Sequence, residues 1–283
     1  MGRFLRERRE ALAPESVGIS SGRRRRTPGL RREEVAFLAD IGVKWYARLE
    51  AGDDVHPSAA ALAGIAVALR LSAAEHEYLL ALAGLGQPTM VGPHKGEMPK
   101  PLDLLLGSTS GIAITAGDRI LIPLRWNGMA EALYGLSRIK DPVDRNALVR
   151  ALFDPDFIAY LGQEREELIF GAVGMLRMSY ASPTRTQFVA PVYERVKDHP
   201  LFQKAWQQRV VTRELPQQQT MVRNHPLVGR IDMFTVDFSS AVGADWIIHV
   251  MIPADEATVA KFRRLEELGK AKRPFEEAGA ACS

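Results

Sequence analysis

The chain has 283 residues and a single cysteine, Cys282, one place from its end. That count excludes a disulfide framework, a cysteine-built zinc site and a buried catalytic thiol, and it points to a reducing compartment. Also missing is any apolar run near the roughly 18 residues that a membrane-spanning helix requires. Met1 to Arg9 is charged where a secretory signal would build its apolar stretch, so a cytoplasmic chain without membrane contact is expected. Met1-Gly2 is not a myristoylation start, because Arg6 stands where Ser or Thr is required. No glycine-rich phosphate loop of the P-loop or dinucleotide type occurs. The histidines, His56, His76, His94, His199, His225 and His249, are scattered, and none has the close helical spacing of a metal pair. Gly107 to Gly111 reads GSTSG, a near miss to a nucleophile elbow, but it precedes a strand where the elbow needs one before it. These absences assign no catalytic residue, cofactor or metal, and the chain is not expected to be an enzyme.

What remains is ordinary globular material. Apolar residues make up 46% and charged residues 25%, and 23 Gly and 17 Pro show no period, so disorder and fibrous classes are excluded and two domains are expected. The net charge is only +3, yet residues 1 to 50 hold 12 Lys+Arg against 7 Asp+Glu, a net of +5 that leaves −2 for the rest. A basic end on a near-neutral body fits a polyanion partner or a solvated charged face, and composition does not choose between them.

Along the chain, residues 1–86 read as an all-α domain. A helix through Leu5 stops before Pro14; Arg31 to Ala39 and Val43 to Ala51 follow, the latter closed by Gly52. Ser58 caps a helix burying Leu62, Ala63, Ala66 and Leu69, and Ser72 with Glu75 forms a capping box for another reaching Ala83. Residues 87–101 are dense in Gly and Pro and read as a linker. Residues 102–269 read as an α+β domain and 270–283 as a tail. Strands are expected at 111–115 and 119–124, then helices at 126–135, 144–153 and 156–182. Further strands at 214–222, 229–238 and 246–252 could close one five-stranded sheet with helices on one side, and a last helix spans 255–268.

The segment Arg31 to Gly52, RREEVAFLADIGVKWYARLEAG, has apolar residues spaced for two helices crossing over a tight turn at Asp40 to Gly42. This is helix-turn-helix geometry or an ordinary αα-corner, and the adjoining basic run favours the DNA-binding reading. Residues 1 to about 86, through GRRRRTPGLRREEVAFLADIGVKWYARLEAG and the following HPSAAALAGIAVALRLSAAEHEYLLALAG, resemble the XRE-type (lambda-repressor-like) helix-turn-helix regulators, in the subfamily with an MmyB-like ligand module. That family typically has Gly at the place of Asp40, Ser at that of Gly42, and Arg at that of Asp53. In a recognition helix, Val43, Lys44, Ala47 and Arg48 face base edges, with Arg48 suited to a bidentate guanine contact or to an ion pair with Glu50 or a neighbouring acid. Arg23, Arg24, Arg25, Arg26, Arg31 and Arg32 are the expected DNA-backbone contacts.

In the second domain, residues 111–135 look like the opening of a PAS-type fold. The islands RNALVRALFDP, LFQKAW and NHP resemble the MmyB-like ligand-binding domain. The resemblance implies a sensor for a small apolar or lipid-like effector, acting on a homodimer bound to double-stranded DNA. Candidate pocket residues are Trp126, Asn127, Met129, Phe153, Phe157, Tyr160, Phe170, Met175, Tyr180 and His225, each of which could equally be plain core. The alternative is a protein-interaction module that holds no small molecule.

Overall fold

Small polar caps and glycines set the helix boundaries of the first part of the chain. The structure, a computed structural model, describes residues 1–20, 29–85, 98–118, 121–181, 183–208, 210–212, 220–239 and 246–280. The chain divides into two units, Met1–Pro88 and Thr89–Ser283. In the first, α1 (Gly2–Ala11), α2 (Arg32–Leu38), α3 (Val43–Ala51), α4 (Ala59–Ala68) and α5 (Ala73–Leu82) form an all-α bundle. Ser58 Oγ accepts from the Ala61 amide at 3.1 Å. Ser72 and Glu75 complete the expected capping box, with the Glu75 amide donating to Ser72 Oγ at 3.2 Å and the Ser72 amide to the Glu75 carboxylate at 2.7 Å. Gly52, at φ +88°, ends α3 in the left-handed conformation that glycine adopts without steric cost. Leu5, Leu30, Val35, Tyr46, Leu49, Leu62, Ile65 and Leu79 are wholly buried between the helices.

The second unit is α+β. It runs α6 (Lys100–Ser108), β1 (Ala113–Gly117), β2 (Pro123–Trp126), α7 (Gly128–Tyr134), α8 (Ala147–Phe153), α9 (Pro155–Leu161), α10 (Arg165–Tyr180), α11 (Pro183–Val196), α12 (Pro200–Gln208), β3 (Met221–His225), β4 (Gly229–Ser239), β5 (Ile247–Pro253) and α13 (Glu256–Ala280). The strands form one antiparallel sheet in the order β2-β1-β5-β4-β3, so the two early and three late strands do close into a single sheet. Along β1 the pleat alternates. Ala113 joins the large core with Met233 and Met251, whereas Ile114 and Ala116 pack with Ile248, Val250 and Leu106 of α6. Helices therefore lie on both faces, correcting the one-sided arrangement.

Other departures have local causes. The helix expected over 156–182 is two helices, because Gly162, at φ +55°, terminates α9 where a Cβ would sit 2.9 Å from the Asn224 amide nitrogen. α6 begins at Lys100, inside the stretch read as linker, and runs into the GSTSG segment, and α13 continues past the Leu268 expected for its end. The late strand expected over 214–222 is described only from Met221, and residues 213–219 lie outside the described residues, as does most of the linker.

Candidate functional site

The first unit places α3 by a turn of three residues. The Ile41 amide donates to the Ala36 carbonyl at 2.9 Å and the Tyr46 amide to the Gly42 carbonyl at 2.9 Å. Between them Asp40 sits at φ +52°, in the left-handed region that favours glycine and that Asp and Asn enter more readily than other side chains. Tyr46 and Leu49 turn into the core, which fixes the opposite face of α3 outward. Val43, Lys44 and Arg48 are exposed on that face, with Ala47 half-buried beside them, so the four expected base-reading residues do share one surface. Arg48 Nε lies 3.4 Å from Asp53, the residue standing where the family pattern has Arg. Its acid neighbour is therefore not Glu50.

Glu50 has another use. Its side chain is fully buried and receives Arg9 through Nε at 2.7 Å and a terminal nitrogen at 2.9 Å, Arg32 at 2.9 Å, and Arg6 at 3.4 Å. Arg9 also donates to the Leu30 carbonyl at 2.8 Å. Burial alone would push the Glu50 pKa up, but the hydrogen bonds from Arg9 and Arg32 outweigh it and hold the carboxyl below its ordinary value. One buried carboxylate thus ties α1, α2 and α3 together and fixes the half-exposed guanidinium of Arg32. No local spacing announces this cluster, since its members come from three helices and stand up to 44 positions apart in the chain. Arg31, at the N-cap of α2, is exposed; its amide donates to Glu34 at 2.6 Å and its guanidinium lies 3.8 Å from Glu33. Arg23, Arg24, Arg25 and Arg26 lie outside the described residues.

The second unit encloses a cavity of about 450 Å³ against the inner face of the sheet. Strands supply part of its polar side. Thr115 on β1, His249 on β5 and Asp237 on β4 are successive cross-strand partners and all line it. His249 Nδ1 and Asp237 Oδ1 are 2.8 Å apart. Leu121, Ile122, Leu161 and Met251 give apolar wall, and Phe157 and Tyr160 of α9 close one side. A neighbouring cavity of about 380 Å³ is lined by His225, Leu227 and Ala132 together with the same Phe157 and Tyr160. The Leu227 amide donates to His225 Nδ1 at 3.2 Å, leaving Nε2 to donate to the Ala132 carbonyl at 3.2 Å. Burial, only partly offset by that carbonyl, lowers the His225 pKa and keeps the ring neutral.

Of the ten residues proposed from sequence as pocket wall, Phe157 and Tyr160 line both cavities and His225 the smaller one; the other seven line neither. Asn127 is a strut, its carbonyl oxygen accepting from the Ile114 and Ala130 amides at 3.0 Å each and its nitrogen donating to the Ile112 carbonyl. Met129 and Met175 are buried in the main core. Trp126 donates to Glu131 at 2.7 Å beneath the Arg145 guanidinium. Phe170 lies under Lys204, Tyr180 packs on Tyr193, and Phe153 is half-exposed against His199. Several helically spaced aromatics went to helix–helix contacts, whereas the cavity draws on strand residues as well as on helices and loops. The available signal was the inward-facing polar set Thr115, Thr235, Asp237 and His249, which a search for apolar stripes passes over.

Residues 99–265 match the family model of the MmyB-like transcription regulator ligand binding domain, and residues 1–79 match that of a helix-turn-helix domain. No curated protein matches the chain.

Proposed function

The chain belongs to the family carrying the MmyB-like transcription regulator ligand binding domain, here behind a DNA-binding helix-turn-helix unit, and from that premise we propose that it is an XRE-type, sequence-specific transcriptional regulator whose second unit senses a small effector. The observation that carries the effector reading is the cavity of about 450 Å³, within the range of small-molecule sites, inside the domain that matches the ligand-binding family. Its wall combines aliphatic and aromatic side chains with a few convergent polar groups, which suits a molecule with an apolar body and a polar point of attachment. The effector acts by binding DNA-competent and DNA-incompetent arrangements with different affinity, without chemical turnover.

DNA is read by Val43, Lys44, Ala47 and Arg48, and Arg31 and Arg32 contact phosphate. The regulator acts in the cytoplasm as a homodimer on two half-sites. Exposed Phe234 and Phe238 of β4 and Ile252 of β5 form an apolar row on the outer sheet face that supports self-association. Native mass spectrometry of the full chain, as purified from the expressing cell, tests the sensor reading. A small adduct lost on collisional activation is expected. A bare polypeptide mass, together with a DNA-binding response to a protein partner, would establish the interaction-module alternative instead.

A further inference from the structure

The C-terminal end of α3 closes in a way that folds the chain back on Arg48. Gly52, at φ +88°, donates its amide to the Leu49 carbonyl at 3.3 Å, and the following amide, that of Asp53, donates to the Arg48 carbonyl at 3.1 Å. Asp53 is held from its other side as well, its carbonyl accepting from the Val55 amide at 2.8 Å. The carboxylate therefore starts from a fixed backbone beside Arg48, and Oδ2 stands 3.4 Å from Arg48 Nε. Neighbouring acids are turned elsewhere. Glu50 points into the bundle toward Arg9, and Asp54 lies 3.8 Å from His56.

Stability does not account for an acid at this place. A helix C-terminus carries partial negative charge, which disfavours a carboxylate beside it. The pair with Arg48 is open to water, its side chains 61% and 50% exposed, so it adds little to folding. An acid beside a DNA-facing surface also repels phosphate. What the arrangement does supply is orientation. A guanidinium presents five N–H donors in a rigid planar fork, and among the described residues Arg48 uses that fork only through Nε. An acceptor at Nε takes the side of the fork and leaves its two terminal nitrogens as a forward pair. Those nitrogens are the donors that meet guanine O6 and N7 together. An arginine oriented before it meets the base loses less freedom on binding, whereas one that swings freely serves phosphates as well as base edges.

We propose that Asp53 is a positioning residue for base reading: it orients the Arg48 guanidinium toward guanine and so sets specificity at one position of each half-site, without adding affinity of its own. The inference rests on the base-reading role of Arg48 above and deepens it by assigning a second residue that touches no base.

The test uses the duplex motif that the full chain selects from a random double-stranded pool, and the same duplex with the Arg48-dependent G·C pair changed to A·T. Affinities for both are measured with the unaltered chain, Arg48→Ala, Asp53→Ala, Asp53→Asn and the Arg48→Ala, Asp53→Ala double variant. Asp53→Ala is expected to lower the preference for guanine by about fivefold while affinity for the changed duplex holds or rises, since one negative charge has left the interface. Asp53→Asn, which keeps an oxygen to accept from Nε, should retain most of the preference, and in the Arg48→Ala background the Asp53 change should leave the preference unmoved. Equal weakening on both duplexes in Asp53→Ala would reduce Asp53 to a structural cap and overturn the proposal. A preference that stays or sharpens in Asp53→Ala would show the carboxylate to be idle or a competitor for Arg48, which overturns the positioning role and leaves base reading by Arg48 in place. If Arg48→Ala selects the same motif, or the unaltered chain selects none, base reading by Arg48 fails first and the role of Asp53 falls with it.

Discussion

Glu50 is the buried charge on which three arginines of the first unit converge. Its carboxylate is buried with Arg9 and is the shared partner of Arg32 and Arg6, so removing the charge leaves buried guanidinium uncompensated. Breaking such a pair from one side costs about 3 kcal/mol or more. Glu50→Gln should therefore lower the urea midpoint of helix loss markedly, and an unchanged midpoint would show the network to be energetically idle. The same group sets an acid limit. Because its folded pKa lies below the ordinary value of 4.5, the stabilisation is complete above that value and is lost as pH falls through the folded pKa. Acid unfolding of the wild-type chain should accordingly be steeper below about pH 4.5 than that of Glu50→Gln. In the second unit, Tyr160→Phe removes a buried hydroxyl that makes no hydrogen bond of normal length and keeps the ring, so its stability should stay within about 1 kcal/mol of wild type or rise.

At the scale of elements, the turn between α2 and α3 holds two departures from its family pattern, and both have a physical reading. Asp40 occupies a left-handed position at φ +52° that glycine fills without strain, and Gly42 caps α3 with no side chain to accept an amide. Asp40→Gly should raise the melting temperature, by about 1 kcal/mol of stability, and Gly42→Ser should add a few tenths more through the cap. A lower melting temperature for Asp40→Gly would mean that the aspartate side chain sustains the turn. Much of this unit was legible in the sequence. Ser58, Ser72 with Glu75, and Gly52 mark ends through local chemistry, and Tyr46 and Leu49 announce the buried face by their spacing. The cavity was far less legible. Its sheet wall depends on which strands become neighbours, and the pairing Thr115–His249 joins residues more than a hundred positions apart. Helical periodicity located Phe157 and Tyr160 but equally selected Met129 and Met175, which are buried in the main core, and Tyr180, which packs on Tyr193.

At the scale of the whole molecule, charge and chemistry are divided between the two units. The excess positive charge belongs to the first fifty residues, which include α3 with its outward face of Val43, Lys44 and Arg48, and both cavities described above belong to the second unit. In the proposed reading Arg48 is the residue on which sequence-specific recognition turns, and among the described residues its one ion pair is the exposed one to Asp53; such pairs are worth about 1 kcal/mol or less. Selection of bound sequences from a random double-stranded DNA pool, performed with the full chain and with Arg48→Ala, is the most direct measurement. Enrichment of one motif by the wild type, with loss of a guanine preference at one position of each half-site in the variant, is the predicted result. No enriched motif with the wild type, or the same motif at the same strength with Arg48→Ala, would contradict it.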